Sequence, residues 1–239
     1  MIKISPTALN QFLSGCPARL AFYSQYKLKE RYLPRALQFG IEVHDLVEKG
    51  LPDIEQIYDG DIMAVETAAK MLKVLEKQGY EILAQEVWHC APLTSDIEVV
   101  GKIDIVAYTN VGVPVLVDLK TSARSWNTIT QNTGEIRIPK AETFQAPMYL
   151  TPPYENPYFD GEWPQRLDYL VVPADGVTQI YPFFENAEIR ANLVTACEIF
   201  KFALDSDLLP ANRGWLCDNY DWQKICWDLP GWEKYYERR

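Results

Sequence analysis

The chain has no long apolar run, no cysteine framework and no net positive charge, and each absence removes a class of protein. No uncharged stretch approaches the roughly 20 residues that a membrane-spanning helix requires. The opening MIKISPTALNQF lacks the apolar h-region of a secretory signal. A soluble, cytoplasmic protein with no membrane partner is therefore expected. Five cysteines, an odd number and widely scattered, do not form the paired set of a secreted disulfide scaffold. A formal net charge of −10 argues against coating nucleic acid by electrostatics alone. There is no internal repeat and no low-complexity tract. What is present is one domain's length, 239 residues with 48% hydrophobic, enough to bury a core.

Charge is unevenly spread. Residues 1–40 carry Lys3, Arg19, Lys27, Lys29, Arg31 and Arg35 against Glu30 alone, a balance of +5 that leaves −15 for the remainder. This is either a local basic surface or a solvated helix face.

The first 80 residues have helical signals. Ser5-Pro6 provides a capping hydroxyl followed by proline at the first helical position, and the helix should run to Leu13. A second helix is expected over Pro17–Leu28, a third in ALQFGIEVHDLVEKG and a fourth in DIMAVETAAKMLKVLEKQG, the last two ended by Gly50 and Gly79. The pattern then changes. EILAQEVWHCAPL, IEVVGKIDIVAY and VPVLVDLKTS read as successive strands, followed by a polar irregular stretch, a short helix around ETFQAPMYL and a proline-rich loop. RLDYLVVP and VTQIYPFF are two more strands, NAEIRANLVTACEIFKFALD is a helix, and an aromatic, cysteine-containing tail follows. The expectation is an α/β fold with a mixed sheet flanked by helices: a helical region over 1–80, a core over 81–205 and a tail over 206–239.

The charges inside the strand pair are the strongest clue. If Asn110-Val111-Gly112 is a three-residue hairpin loop, with Gly112 in the left-handed position, facing residue numbers sum to 222. Asp104 then lies opposite Asp118, and Lys102 opposite Lys120. One face should hold Ile103, Ile105, Ala107, Val115, Val117 and Leu119; the other Asp104, Asp118 and Lys120 with Val106 and Leu116. Two carboxylates so paired sit within roughly 5 Å at Cβ and repel unless a cation lies between them. A divalent cation would relieve that repulsion, and Lys120 could act on water or on a phosphate. A Lys–Asp pair on a solvated face is the plain alternative.

At this point the residues resemble the PD-(D/E)XK nuclease superfamily, in its RecB-like branch with the CRISPR-associated adaptation nucleases and phage exonucleases. GKIDIV is similar to that family's acidic motif and DLKTS to its (D/E)-x-K motif. GIEVHDLVE resembles a Gly-x-x-x-His signature, and QAPMY a Gln-x-x-x-Tyr signature. The resemblance implies a restriction-endonuclease-like core and a DNA nuclease, of exonuclease type, working in recombination, repair, replication or CRISPR adaptation in a prokaryotic or phage-infected cell. It implies Mg²⁺ or Mn²⁺ held by His44, Asp104, Asp118 and the carbonyl of Leu119, with Asp104, Asp118 and Lys120 catalytic. Gln145 and Tyr149 would bind substrate, and Glu86 is a weaker candidate at the rim of the metal site. Gly40, one turn before His44, would allow a close helix–sheet approach.

Members of this branch often carry a 4Fe–4S cluster on one N-terminal and three C-terminal cysteines. Cys16, Cys217 and Cys226 correspond to three of these, but Tyr220 stands where a fourth is expected. Cys90 or Cys197 would have to complete the set, and a lost cluster is the preferred reading. Trp126 and Tyr23 are aromatics that could stack on bases but more simply serve the core. Partners implied are DNA, single-stranded or with duplex ends, and a second copy or a recombination or replication protein. The rival function is a non-catalytic or partner-dependent DNA-end-binding subunit on the same fold.

Overall fold

The computed structural model describes residues 1–14, 35–51, 61–122, 144–174 and 177–206. Element order is β1 (Ile2–Ile4), α1 (Pro6–Ser14), α2 (Arg35–Lys49), α3 (Ile62–Gln78), β2 (Glu81–Pro92), β3 (Ile97–Tyr108) and β4 (Pro114–Ser122). Then come α4 (Gln145–Tyr149), β5 (Arg166–Pro173), β6 (Gln179–Phe184) and α5 (Ala187–Asp205). No helix among the described residues is long and apolar enough to cross a membrane. The expected second helix, most of the basic N-terminal residues, the irregular stretch after Ser122 and the aromatic tail fall outside the described residues. So do Cys16, Cys217, Cys226, Tyr220, Trp126 and Tyr23.

The sheet has six strands in the order β1-β3-β4-β5-β6, with β2 on β3. Contacts β1–β3 and β4–β5 are parallel, while β2–β3, β3–β4 and β5–β6 are antiparallel. The fold is therefore the expected mixed sheet flanked by helices. Strand β1 is an addition: Ile2-Lys3-Ile4 alternates over only three residues, too few to separate from a disordered start by pattern alone.

Local signals account for most boundaries. Asp61 caps α3 by accepting the Met63 N–H, and Gly79 closes it in the left-handed conformation at φ 66°. Asn186 caps α5 through the Ile189 N–H. The β3–β4 turn has Gly112 at φ 75° and a Thr109 N–H to Val113 carbonyl bond of 2.8 Å. The observed pairs Ile105–Val117, Val106–Leu116, Ala107–Val115 and Tyr108–Pro114 all keep the expected sum of 222.

One face of the sheet packs Ile105, Ala107, Val115, Val117 and Leu119 against Val43 and Val47 of α2 and Ala64, Ala68, Met71 and Leu75 of α3. The other packs Val106 and Leu116 with Ala146, Tyr149, Phe159 and Trp163. Ile103 belongs to this second cluster, not with Leu119 as simple alternation requires. The reason lies one residue away. The β2–β3 ladder keeps its register from Gln85–Ile105 to Val87–Ile103 but skips Glu86 and Asp104 between them, and Ile105 and Ile103 lie on opposite faces, so both strands exchange faces at Glu86 and Asp104. Glu86 carries the turn at φ 54°, and among the described non-glycine residues it alone has positive φ.

Candidate active site

The point where β2 and β3 change faces is where the charges gather. The side chains of His44, Glu86 and Asp104 offer donor atoms that all lie within 4.8 Å of one another. His44 reaches them from α2, with Nδ1 3.6 Å from Asp104 Oδ1 and 4.0 Å from Glu86 Oε1. Its other nitrogen, Nε2, lies 3.0 Å from the Leu119 carbonyl. With Nε2–H donating there, the Nδ1 lone pair faces the two carboxylates, the arrangement by which a backbone acceptor fixes the tautomer of a ligating histidine. Burial pulls the His44 pKa down, but the hydrogen bond and charge of Asp104, and then the charge of Asp118, outweigh it and leave it raised.

Asp104 does not extend the β3–β4 ladder to Asp118. Its Oδ2 accepts the Leu119 N–H at 2.7 Å, so the strands part just where the two acidic motifs meet. Asp118 is 1% exposed. Lys120 Nζ sits 2.6 Å from its Oδ2, and Gln145 Nε2 donates to its Oδ1 at 2.7 Å. Thus the structure divides the expected constellation into two adjoining groups: His44, Glu86 and Asp104 in one, Asp118, Lys120 and Gln145 in the other. Leu119 links them, its N–H on Asp104 and its carbonyl on His44. Glu86, the weaker candidate by sequence, stands in the cluster itself, and Lys102 meets its carboxylate.

Gln145 and Tyr149 both belong to α4, and Gln145 also hydrogen-bonds the Tyr149 phenol. Burial, followed by the charge of Asp118, raises the phenol's pKa, so it stays protonated. Pro147 is buried inside this five-residue helix, and the Thr151 hydroxyl takes up its carbonyl at 3.0 Å. So short a helix has little stability of its own. Three of its end carbonyls are met by side chains from elsewhere: Met148 by His89 Nε2 at 3.2 Å, Tyr149 by Trp163 Nε1 at 2.8 Å, and Leu150 by Arg190 at 3.4 Å. Arg190 is in turn paired to Glu185 at 2.6 Å.

Gly101 was overlooked in the sequence although it stands inside the acidic motif. A Cβ there would lie 2.5 Å from Tyr149 Cε1, so only glycine admits the ring; a strand glycine is the available signal for such close approach. At Gly40 the same test gives 3.4 Å to Thr121 Oγ1, ordinary contact, so the expected need for glycine there is weak. Of the two spare cysteines, Cys197 is buried in an apolar cluster with Ile4, Leu9 and Phe200, and burial pushes its thiol up to about 12. Cys90 is partly buried.

The donor chemistry, two carboxylates and an imidazole, suits a divalent cation: the carboxylates fit Mg²⁺ or Mn²⁺, and the imidazole favours the softer Mn²⁺ of the two. Among solved structures, a candidate exonuclease from Eubacterium rectale is similar at a TM-score of 0.52 and 16% identity, over 85% of this chain and 79% of that one. The alkaline exonuclease LHK-Exo of Laribacter hongkongensis gives 0.50 and 14%, over 86% and 89%; its complex with dAMP gives 0.50 and 15% over the same shares. These likenesses concern the fold. No curated protein matches the chain. The family model described as the PD-(D/E)XK nuclease superfamily matches residues 3–226, and the chain belongs to that superfamily.

Proposed function

We propose that this protein is a divalent-cation-dependent nuclease that hydrolyses DNA phosphodiester bonds from strand ends. The observation that carries the reading is the convergence of His44, Glu86 and Asp104 beside the buried Asp118–Lys120 pair. Like-charged carboxylates brought together on a strained strand call for a cation. His44 and Asp104 would hold it, with Glu86 as third donor or with Asp118 and the Leu119 carbonyl. In the first set Nδ1 would be the ligand, with Nε2–H on the Leu119 carbonyl; in the second the proton would sit on Nδ1, and Nε2 and the Leu119 oxygen, 3.0 Å apart, would share the ion. When bound, Mg²⁺ or Mn²⁺ neutralises phosphate charge and makes water more acidic.

The chain's own groups supply the rest. Lys120, held by Asp118, can orient the attacking water through a hydrogen bond and offer charge to the phosphate as it gains negative charge. Gln145 fixes Asp118 from the other side and so aims that lysine. The Tyr149 phenol, kept protonated, can donate to a phosphate oxygen. The exonuclease reading is supported by the fold shared with LHK-Exo, an exonuclease whose structure with dAMP is known.

The test is degradation of end-labelled linear and closed circular DNA by wild type and Lys120→Ala, with Mg²⁺, Mn²⁺ or a chelator. Wild type should cut linear DNA only with metal, spare circles, and lose activity on substitution. A folded wild type that cuts nothing with either ion would overturn the nuclease reading, and equal cutting of circles would replace exonuclease with endonuclease.

A further inference from the structure

Two tryptophans fall among the described residues, and they are used in opposite ways. Trp163 is 5% exposed and hydrogen-bonded. Trp88 is 70% exposed, although it lies mid-strand in β2, two residues beyond Glu86. A single exposed apolar side chain is ordinary by itself; the surroundings of this one are not. Its partner across the β2–β3 ladder is Lys102, and directly paired residues put their side chains side by side on one face. Val87 and Ile103, which flank this pair, turn to the opposite, buried face. Lys102 in turn meets the carboxylate of Glu86, a member of the metal-donor cluster. Its side chain is about half exposed. An indole and an ammonium thus lie beside the metal-donor cluster on the edge strand, with Lys49 at the end of α2 within electrostatic range.

From this juxtaposition we infer that Trp88 and Lys102 form a binding platform for single-stranded DNA, the indole stacking on an unpaired base while the ammonium contacts a phosphate. The inference rests on the nuclease reading and deepens it by naming the strand form that the site accepts. The pairing suits this ligand: an aromatic face takes any unpaired base, and a neighbouring cation follows the backbone. A surrounding of Glu48, Glu86 and Asp104, all felt by Lys102, disfavours an acidic protein surface as the occupant. Nucleic acid brings phosphates too, but the cation that the cluster is built to hold would offset those carboxylates. Base pairs inside a duplex have no free face to offer, so closed duplex should gain little from the indole.

The experiment is fluorescence anisotropy of labelled single-stranded and closed-duplex oligonucleotides, in chelator and separately in Ca²⁺, across a salt series. It compares wild type with Trp88→Ala, Trp88→Phe and Lys102→Ala, each checked for folding by circular dichroism. Trp88→Ala should weaken single-strand binding about 5- to 100-fold, with the salt slope unchanged and duplex binding little affected. Trp88→Phe should restore most of the loss. Lys102→Ala should reduce the slope of log affinity against log salt by about 0.7. If folded Trp88→Ala binds single strands within two-fold of wild type, or loses duplex binding equally, the platform is refuted. Should wild type still cut DNA in that case, the nuclease reading stands without it. If wild type neither binds nor cuts DNA, both fall.

Discussion

The two sides of β3 beside the charged cluster are built on opposite terms. On the side facing α2, His44, Glu86 and Asp104 crowd three titratable groups together, and Glu86 keeps a left-handed backbone that a side chain resists. On the side facing α4, the packing is mainly aromatic and buried, and His89, Trp163 and Arg190 take up the carbonyls of a helix too short to stand alone. The first side crowds like charges that a bound cation would relieve. The second is held by its own hydrogen bonds, and Gln145 meets the buried Asp118 from it. A site can therefore divide its work, keeping strain where ions bind and rigidity where protons are steered.

The sharpest test of this division is to remove the lysine paired with Asp118, which Gln145 holds from the other side. Lys120→Ala should lower turnover about 10²- to 10⁴-fold and also cost about 3 kcal/mol of stability, because the buried Asp118 carboxylate loses its ion pair. The double variant Lys120→Ala/Asp118→Asn should recover the stability but not the turnover, and recovery of both would show that the pair is structural only.

The aromatic side should respond to acid. Burial lowers the His89 pKa to about 4, opposed by its bond to the Met148 carbonyl. The unfolded chain takes up this proton near pH 6.5, the folded chain only near 4. The contribution of His89 is thus fully present above pH 6.5 and is lost as pH falls to about 4, amounting to about 3 kcal/mol. Denaturant titrations of wild type and His89→Gln across this range should differ in slope. Parallel curves would mean that His89 is not held neutral.

A third change attacks the joint between the two sides. Gly101→Ala should destabilise the fold by about 1–3 kcal/mol, since the Tyr149 ring cannot remain 2.5 Å from a new carbon. Chemical denaturation measures this, and a neutral result would mean the ring moves at no cost. The smallest effect should have the opposite sign. Glu86→Gly relieves the backbone and the charge crowding, so stability should rise by about 1 kcal/mol while calorimetry shows weaker Mn²⁺ binding. Asp118→Asn in the same calorimetry decides whether Glu86 or Asp118 is the third donor.

Much of this could be read from the chain because local signals and tertiary demands agree. Ser5-Pro6, Asp61, Gly79 and Asn186 mark helix ends by their own chemistry, and Gly112 sets a turn from which the β3–β4 register follows. The charged residues stood out because a strand otherwise so apolar has no reason to carry them. What escaped was the exchange of faces at Glu86 and Asp104. Alternation assumes a regular pleat, and nothing in the letters announces that a glutamate will adopt a glycine's conformation, so Ile103 was assigned to the wrong side and Glu86 given too small a part. The support of α4 was equally hidden, because His89, Trp163 and Arg190 are distant in sequence and meet only after the sheet forms. Lys102 was paired with Lys120 by a register that ends three residues earlier, at Ile105–Val117.

The notch at Gly101 has a consequence for how such a chain can change over time. Positions 101 and 149 are sterically coupled, because a side chain at one crowds the ring at the other. A lineage that gives up the tyrosine first is then free to fill position 101, whereas one that fills position 101 first must bear the cost of displacing the ring. The order of substitution is thereby biased, and once position 101 has been filled, a return to tyrosine meets the same crowding.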